Sequence, residues 1–420
     1  MNSTATTTMD AYAGLSEAAA RLRERWVNGL IGAGHFLSHY YLLALPPLFP
    51  ILKAEFGVSY AELGLAMTAY NLLGGVLQAP VGFVVDRLGP RRVLFFGLGL
   101  NAIGVLAMGL APSYGLLLMW AVIAGLGNSV FHPADYAILS GSIRSERLGK
   151  AYSSHTFSGF LGGACAPVGV FAVAQMFDWR IALISAGIVG LGVLAVMIAR
   201  RDLLQGEAAA PKPDAGAASQ ASGQTFGLGL LVSPPVLLFL LYFVVYGIAN
   251  NGLTASLVFG LMNLHDVPVE LANGALTGYL FGIVGGIIAG GFISDQYPRH
   301  LVTSAAGLVL VMVAVMVPAL LGLPAVAFIV VLTAVGVGMG VILPARDLMI
   351  RKIVPPGASG KVFGLIFVGY AIGGSLAPPL FGWILDQNQP AMVFQMAAGF
   401  AVLSLISVAF ARRTSPSRDA

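Results

Sequence analysis

The chain has 420 residues, of which 57% are hydrophobic and only 10% charged, with a mean hydropathy of +0.86, whereas soluble domains carry about 25% charged residues. A soluble globular protein is therefore excluded, and the chain reads as an integral membrane protein. The net charge of +4 is spread along the chain rather than gathered in one patch, which argues against nucleic acid as a partner, and the single cysteine, Cys165, precludes an intramolecular disulfide.

Residues 1–25 are polar and place Arg21, Arg23 and Arg25 directly before the first apolar run, unlike a cleavable signal peptide, so they read as a cytoplasmic tail. Runs of the length a spanning helix needs, about 20 residues, follow at 26–51, 60–85, 93–111, 114–140, 151–175 and 179–199. Residues 200–230 are rich in Ala, Gly, Ser and Pro, lack apolar periodicity and predict a flexible cytoplasmic linker. Six further runs occupy 233–261, 269–294, 301–321, 325–350, 361–385 and 391–411, and a second cytoplasmic tail spans 412–420. The expectation is an all-α membrane protein of twelve transmembrane helices in two six-helix bundles, 26–199 and 231–411. With both ends inside, 19 of the 22 Lys and Arg fall in inner segments, while Lys53 and Arg180 fall outside and Arg346 lies within the tenth span. Such an excess of cations marks the cytoplasmic side.

The two halves repeat one pattern. "GLGNSVFHPA" (125–134) returns as "GVGMGVILPA" (336–345) and "GGACAP" (162–167) as "GGSLAP" (373–378), both at an offset of 211. "AMTAY" and "GFVVD" (66–70, 82–86) return as "ALTGY" and "GFISD" (275–279, 291–295) at 209. In repeat-built transporters the substrate site lies near the bilayer midplane between the repeats.

The segment "GFVVDRLGPRR" resembles the signature of the major facilitator superfamily, whose fixed positions are matched by Gly82, Asp86, Arg87, Gly89, Arg91 and Arg92. "HFLSHYYLLALPPLFP" on the first span and "GLGNSVFHPA" on the fourth are most similar to the fosmidomycin-resistance-like group, which implies drug or metabolite efflux. The resemblance implies two pseudo-symmetric bundles around a central cavity lined by spans 1, 4, 7 and 10, rocking between inward-open and outward-open states. It also implies that Asp86 and Asp295 are conformational latches, accepting from a facing helix N-terminus or pairing with Arg144 or Arg351. Gly82 and Gly291 are expected to allow close helix approach. The second copy is degraded, with Gln296 at the arginine position. The arginine that relatives often carry four residues before the GxG of span 4 is replaced by Ala121.

Ionisable groups at membrane depth are costly and so mark cavities, partners or pathways. His35 and His39 share a face of span 1, four residues apart; His132 and Asp135 sit on span 4 and His155 on span 5. The repeat offset maps His35 and His39 to Tyr246 and Asn250, with Asn251 alongside. These groups line a cavity, or hydrogen-bond between helices, or, for the HxxxH pair, bind a metal; no Cys or Glu stands at ligand spacing, and no metal is expected. Asp135 maps to Arg346, so opposite charges recur at one depth. They form a proton-sensitive gate, or Arg346 binds an anionic substrate group while a histidine carries the proton, or they are a permanent pair. Pro167 and Pro378 bend spans 5 and 11, and "GGACAPVG" partly resembles the antiporter signature.

The reading is a proton-coupled secondary transporter exporting a small organic molecule across the inner membrane by alternating access. Its partners are the substrate, protons and the lipid bilayer, with no nucleic acid and a monomeric state. No GxxxxGK[ST] motif occurs, so an ion gradient must supply the energy and no cofactor is expected. Alternatives are an importer of a small organic anion such as a monocarboxylate, an intramembrane histidine metalloenzyme, and a transport-dead sensor.

Overall fold

A computed structural model describes residues 12, 14–204, 233–297, 299–353 and 359–414. Most of the expected linker and parts of both tails lie outside the described residues. Those described are mostly helical, joined by short turns, with no β-strand among them.

The first expected span becomes two helices. Helix α1 (Glu17–Leu42) begins nine residues earlier than expected, with Ser16 accepting from the Ala19 amide. It stops before Pro46 and Pro47, which have no N–H to continue the ladder; a 3-10 turn (Pro46–Leu48) and a short α2 (Phe49–Phe56) follow. The second span is likewise split, into α3 (Tyr60–Val76) and α4 (Gln78–Leu88), bent by 58°. Pro80 leaves the Val76 carbonyl without its helical partner, and the Gln78 side chain takes the Gly74 carbonyl at 3.0 Å. Gly89, at φ +84, closes α4 and opens α5 (Pro90–Gly109), with Pro90 at the first helical position. That left-handed conformation is why the motif requires glycine there.

Span 4 is α6 (Tyr114–Asn128) and α7 (Phe131–Ser142), interrupted at Ser129 and Val130. Pro133 cannot bond the Ser129 carbonyl, while the Ser129 hydroxyl donates to Leu126 O at 2.7 Å. Then come α8 (Ser145–Met176), α9 (Trp179–Ala199), α10 (Pro234–His265), α11 (Val269–Gln296), α12 (His300–Leu320), α13 (Ala325–Ile353), α14 (Ser359–Asp386) and α15 (Pro390–Thr414). Pro167 and Pro378 lie inside α8 and α14, which remain single helices.

Among the described residues ten helices are long and apolar enough to cross a membrane, or eleven if α3 and α4 form one bent span. The remaining expected span, the first, falls on α1. This helix has the length, but Asn28, His35, Ser38, His39, Tyr40 and Tyr41 dilute its apolarity, and of these His35, Ser38 and Tyr41 are buried against other helices rather than offered to lipid.

The chain divides into two compact units, Met1–Leu45 with Ala69–Ala221, and Pro46–Thr68 with Ser222–Ala420. Residues 46–68 thus pack with the second unit. Their anchor is Asp386 at the end of α14, whose carboxylate accepts the Tyr60 and Ala61 amides at the start of α3, at 3.0 and 2.9 Å. Lys53 Nζ lies 3.5 Å from the same carboxylate. A carboxylate at a helix N-terminus satisfies orphan donors and complements the helix dipole.

Each unit repeats one packing scheme. In the first, α1 runs against α8, and α5 against α6 and α9; in the second, α10 runs against α14, and α12 against α13 and α15. The recurring motifs are the crossing points. A Cβ on Gly125 would come 2.7 Å from the Tyr70 carbonyl oxygen, and one on Gly336 would fall on the Tyr279 carbonyl. Likewise Gly162 faces the Phe36 carbonyl and Gly373 the Val244 carbonyl, with no room for a side chain. Small residues let helices meet where lipid removes the hydrophobic drive for association.

Candidate functional site

In the first unit, α1, α7 and α8 converge on a cluster of imidazoles around one carboxylate. The approach is set by glycine. A Cβ on Gly32 would touch the Ser158 side chain at 3.6 Å, one on Gly159 would press on the His35 ring, and Gly162 meets the α1 backbone. His35 is thereby drawn against His155, their rings stacked with centroids 3.7 Å apart and planes at 18°.

Asp135 is at the centre. Its Oδ2 is hydrogen-bonded to His155 Nε2 at 3.0 Å and lies 3.7 Å from His35 Nδ1. All three are buried, with Asp135 at 0% exposure. The break before α7 turns Asp135 inward on the first turns of that helix, one turn from His132. His132 and His39 complete the cluster with edge-on contacts to His35, at 5.1 and 4.7 Å between centroids. Tyr136 packs on His155 at 5.1 Å and on Tyr152 at 5.0 Å, and Tyr152 shares a 2.7 Å hydrogen bond with Ser140.

Among the described residues several polar atoms in this apolar setting have no hydrogen-bond partner: Asp135 Oδ1, His35 Nδ1 and His155 Nδ1. Buried donors and acceptors are seldom left so. The arrangement puts an imidazole nitrogen and a buried carboxylate oxygen within hydrogen-bonding distance, so that a proton can lie between them. One nitrogen each of His35, His39 and His132 lie within 4.8 Å of one another. One ligand atom each of His35, Asp135 and His155 also lie within 4.8 Å of one another, so each of these two groups has side chains near enough together to hold a metal ion.

In the second unit, Arg346 on α13 is 5% exposed. Its Nε donates to Asp347 Oδ1 at 3.0 Å, and Nη2 lies 2.9 Å from the same oxygen. The guanidinium lies over Phe243, 4.4 Å from the centroid, and within 5.8 Å of the Tyr246 ring. Tyr246 stacks on Tyr242 at 5.7 Å and leans on Tyr370 at 6.2 Å. Asn250 donates to Tyr370 Oη at 3.0 Å and accepts from Tyr279 Oη at 2.7 Å, while Asn251 donates to the Gly247 carbonyl. The groups at matching positions of the repeat thus form two different chemistries, an imidazole–carboxylate cluster in one unit and a cation in an aromatic box in the other. Asp135 and Arg346 each have a partner within their own unit, His155 and Asp347.

The signature residues occupy exposed or half-exposed positions. Among the described residues a Cβ on Gly82 or Gly291 would meet no atom within 4 Å. Asp86, Asp295 and Arg87 are exposed, and Arg91 donates to the Arg201 carbonyl at 3.0 Å. Arg144 is not a partner of Asp86. It donates to Glu24 and Glu17, each at 2.7 Å, and Arg147 donates to Glu24 at 2.9 Å. Arg144, then Arg21, hold the Glu17 carboxyl down to about 2.

Sequence reasoning missed Asp347, Tyr242, Phe243, Tyr279 and Tyr370. The available signal was the repeat itself, since Tyr279 belongs to "ALTGY" and Tyr370 stands three residues before the repeated "GGSLAP".

Comparison with known proteins agrees with this architecture. A sequence profile of the Major Facilitator Superfamily matches residues 31–320 and 258–420. The fosmidomycin resistance protein of Escherichia coli (strain K12) is 25% identical over 400 residues, 93% of this chain and 95% of that protein. The lincomycin resistance protein of Streptomyces lincolnensis is 31% identical over 196 residues, 44% of this chain and 38% of that one. Among solved structures, a bacterial homologue of the human lysosomal transporter Spinster, inward-facing and unoccupied, superposes with a TM-score of 0.76 at 18% identity, covering 94% of this chain and 98% of that one.

Proposed function

Given that the chain belongs to the Major Facilitator Superfamily, a family of multi-pass membrane transporters rather than enzymes, we propose that it exports a small organic molecule in exchange for protons, with Asp135, His155 and His35 as the proton-binding group. It acts as a monomer in the inner membrane, both termini in the cytoplasm, by alternating access.

The observation that carries this reading is Asp135, wholly buried and hydrogen-bonded to one imidazole with a second 3.7 Å away. A charge isolated in an apolar bundle is disfavoured by desolvation, whereas a carboxylate shared between imidazoles can be neutralised by one proton. His39 and His132, half-buried beside it, extend the cluster towards its more accessible side and offer a relay. The outward direction is supported by the names of two relatives, both resistance proteins.

The test is transport in proteoliposomes, with a panel of organic anions and lipophilic drugs, with and without an imposed pH gradient. Export driven by an opposing proton gradient, and lost in Asp135→Asn, is the expected result. Substrate movement indifferent to the pH gradient would remove the coupling role, and proton-driven uptake would reverse the direction.

A further inference from the structure

The second unit holds a buried cation whose one ionic partner among the described residues is awkward. Arg346 is 5% exposed, while the side chain of its sequence neighbour Asp347 is 44% exposed. On a helix adjacent residues project about 100° apart, so the two meet only because the long arginine side chain folds back. The result is a poor form of the pairing. Nε and Nη2 both converge on one oxygen, Oδ1, whereas a guanidinium edge is matched best by two oxygens in parallel.

The surroundings fit a planar acid. Phe243 lies beneath the guanidinium and Tyr246 beside it, the latter stacked on Tyr242. Tyr242 is close enough to Arg346 for its hydroxyl oxygen to accept from the guanidinium, and among the described residues nothing accepts the hydroxyl's own proton within hydrogen-bond geometry. That hydroxyl is a donor with nothing to donate to, next to a cation held by half a carboxylate.

We propose that the Nε/Nη2 edge of Arg346 is a binding site for the carboxylate of a small organic anion, and that Asp347 is a built-in competitor which the ligand displaces. The incoming carboxylate supplies two oxygens where Asp347 supplies one, and Tyr242 Oη donates to it. Asp347, whose side chain is 44% exposed, swings away from the guanidinium. The body of the ligand stacks on Tyr246. Resident competition keeps the buried arginine neutralised when the site is empty, and it weakens binding enough to allow release. The proposal rests on the transporter reading above, whose substrate class it names.

The test is isothermal titration in a neutral maltoside detergent, without any pH gradient, using benzoate and its uncharged isostere benzamide as probes. Asp347→Asn should bind benzoate at least tenfold more tightly than the wild-type chain, with benzamide unchanged. Arg346→Lys in the Asp347→Asn background should lose that gain, since an ammonium cannot offer the two-pronged edge. Asp347→Ser serves the same purpose if the Asn variant does not fold. A benzoate affinity that Asp347→Asn and Asp347→Ser leave unchanged, or a gain that Arg346→Lys retains, overturns the proposal. Because no gradient is involved, tight anion binding combined with proton-independent transport would sink the coupling assignment and leave this site standing.

Discussion

Gly159 of α8 and His35 of α1 are in direct contact: a Cβ on the glycine would come within 2.5 Å of the imidazole Nε2. The histidine is 2% exposed and stacked on His155, so it has no free direction in which to yield.

Gly159→Ala should therefore destabilise the chain by about 1–3 kcal/mol, the usual range for overpacking, and impair proton-driven transport more than its stability loss alone explains. Thermal unfolding in detergent and gradient-driven transport, measured on one preparation, separate the two effects. A variant with unaltered melting temperature and transport would show that the ring is free to move.

Asp135→Asn retains the size and a hydrogen-bonding capacity but cannot take up and release a proton. Gradient-driven accumulation is expected to fall at least tenfold while substrate exchange without a gradient persists. Full accumulation in this variant would dismiss Asp135 from coupling.

The glycines divide into two sets. Gly125 and Gly336 sit on the carbonyls of Tyr70 and Tyr279, whereas a Cβ on Gly82 or Gly291 would meet no described atom within 4 Å. Gly125→Val or Gly336→Val should cost about 3 kcal/mol or more, since backbone rather than a side-chain tip must give way. Gly82→Ala and Gly291→Ala should stay within about 0.5 kcal/mol in this conformation. A conformation that closes on Gly82 would reveal itself as a transport defect in Gly82→Ala without a loss of melting temperature.

The Arg144 network makes a pH-dependent contribution of known sign. Glu17 has a folded value near 2, below its ordinary 4.5, because Arg144 and Arg21 donate to it. Its stabilisation is complete above about pH 4.5 and is lost as pH falls through about 2. The melting-temperature gap between wild type and Arg144→Ala should hold constant from pH 7 to 5 and narrow below pH 4.5. A gap that widens on acidification would contradict the assignment. Glu17 is more than half exposed, so salt should also reduce its part of the gap.

Asp386→Ala removes the acceptor for the first two amides of α3 and the partner of Lys53. A loss of about 1–2 kcal/mol is expected, as for other helix N-terminal acceptors. Asp386→Asn, which keeps an acceptor oxygen but not the charge, should recover roughly half by the same measurement.

Which features were legible in the sequence follows from how local each is. Twelve apolar runs, the cation asymmetry and the recurrence of "GLG" and "GGACAP" are properties of the chain read in order, and the helices follow them closely. The breaks at Pro46, Pro80 and Pro133 were marked by residues that cannot donate, although their positions relative to the expected spans were not anticipated. His35, His39, His132, Asp135 and His155 were recognisable as residues that lipid would exclude. Their meeting around one carboxylate was not, because it depends on Gly159 and Gly162 bringing α8 against α1.

The repeat offset pointed from Asp135 to Arg346, and within its own unit each has a partner that the offset did not indicate, His155 and Asp347. The amino-acid order by itself determined that this chain lives in a membrane, that it is duplicated and which few polar side chains it carries into the apolar region, because solvation and backbone hydrogen bonding act on segments. Only the tertiary structure decided which of those side chains neutralise one another. Charges and imidazoles interact across a few ångströms of space, and that distance is set by how closely glycines let separate helices approach.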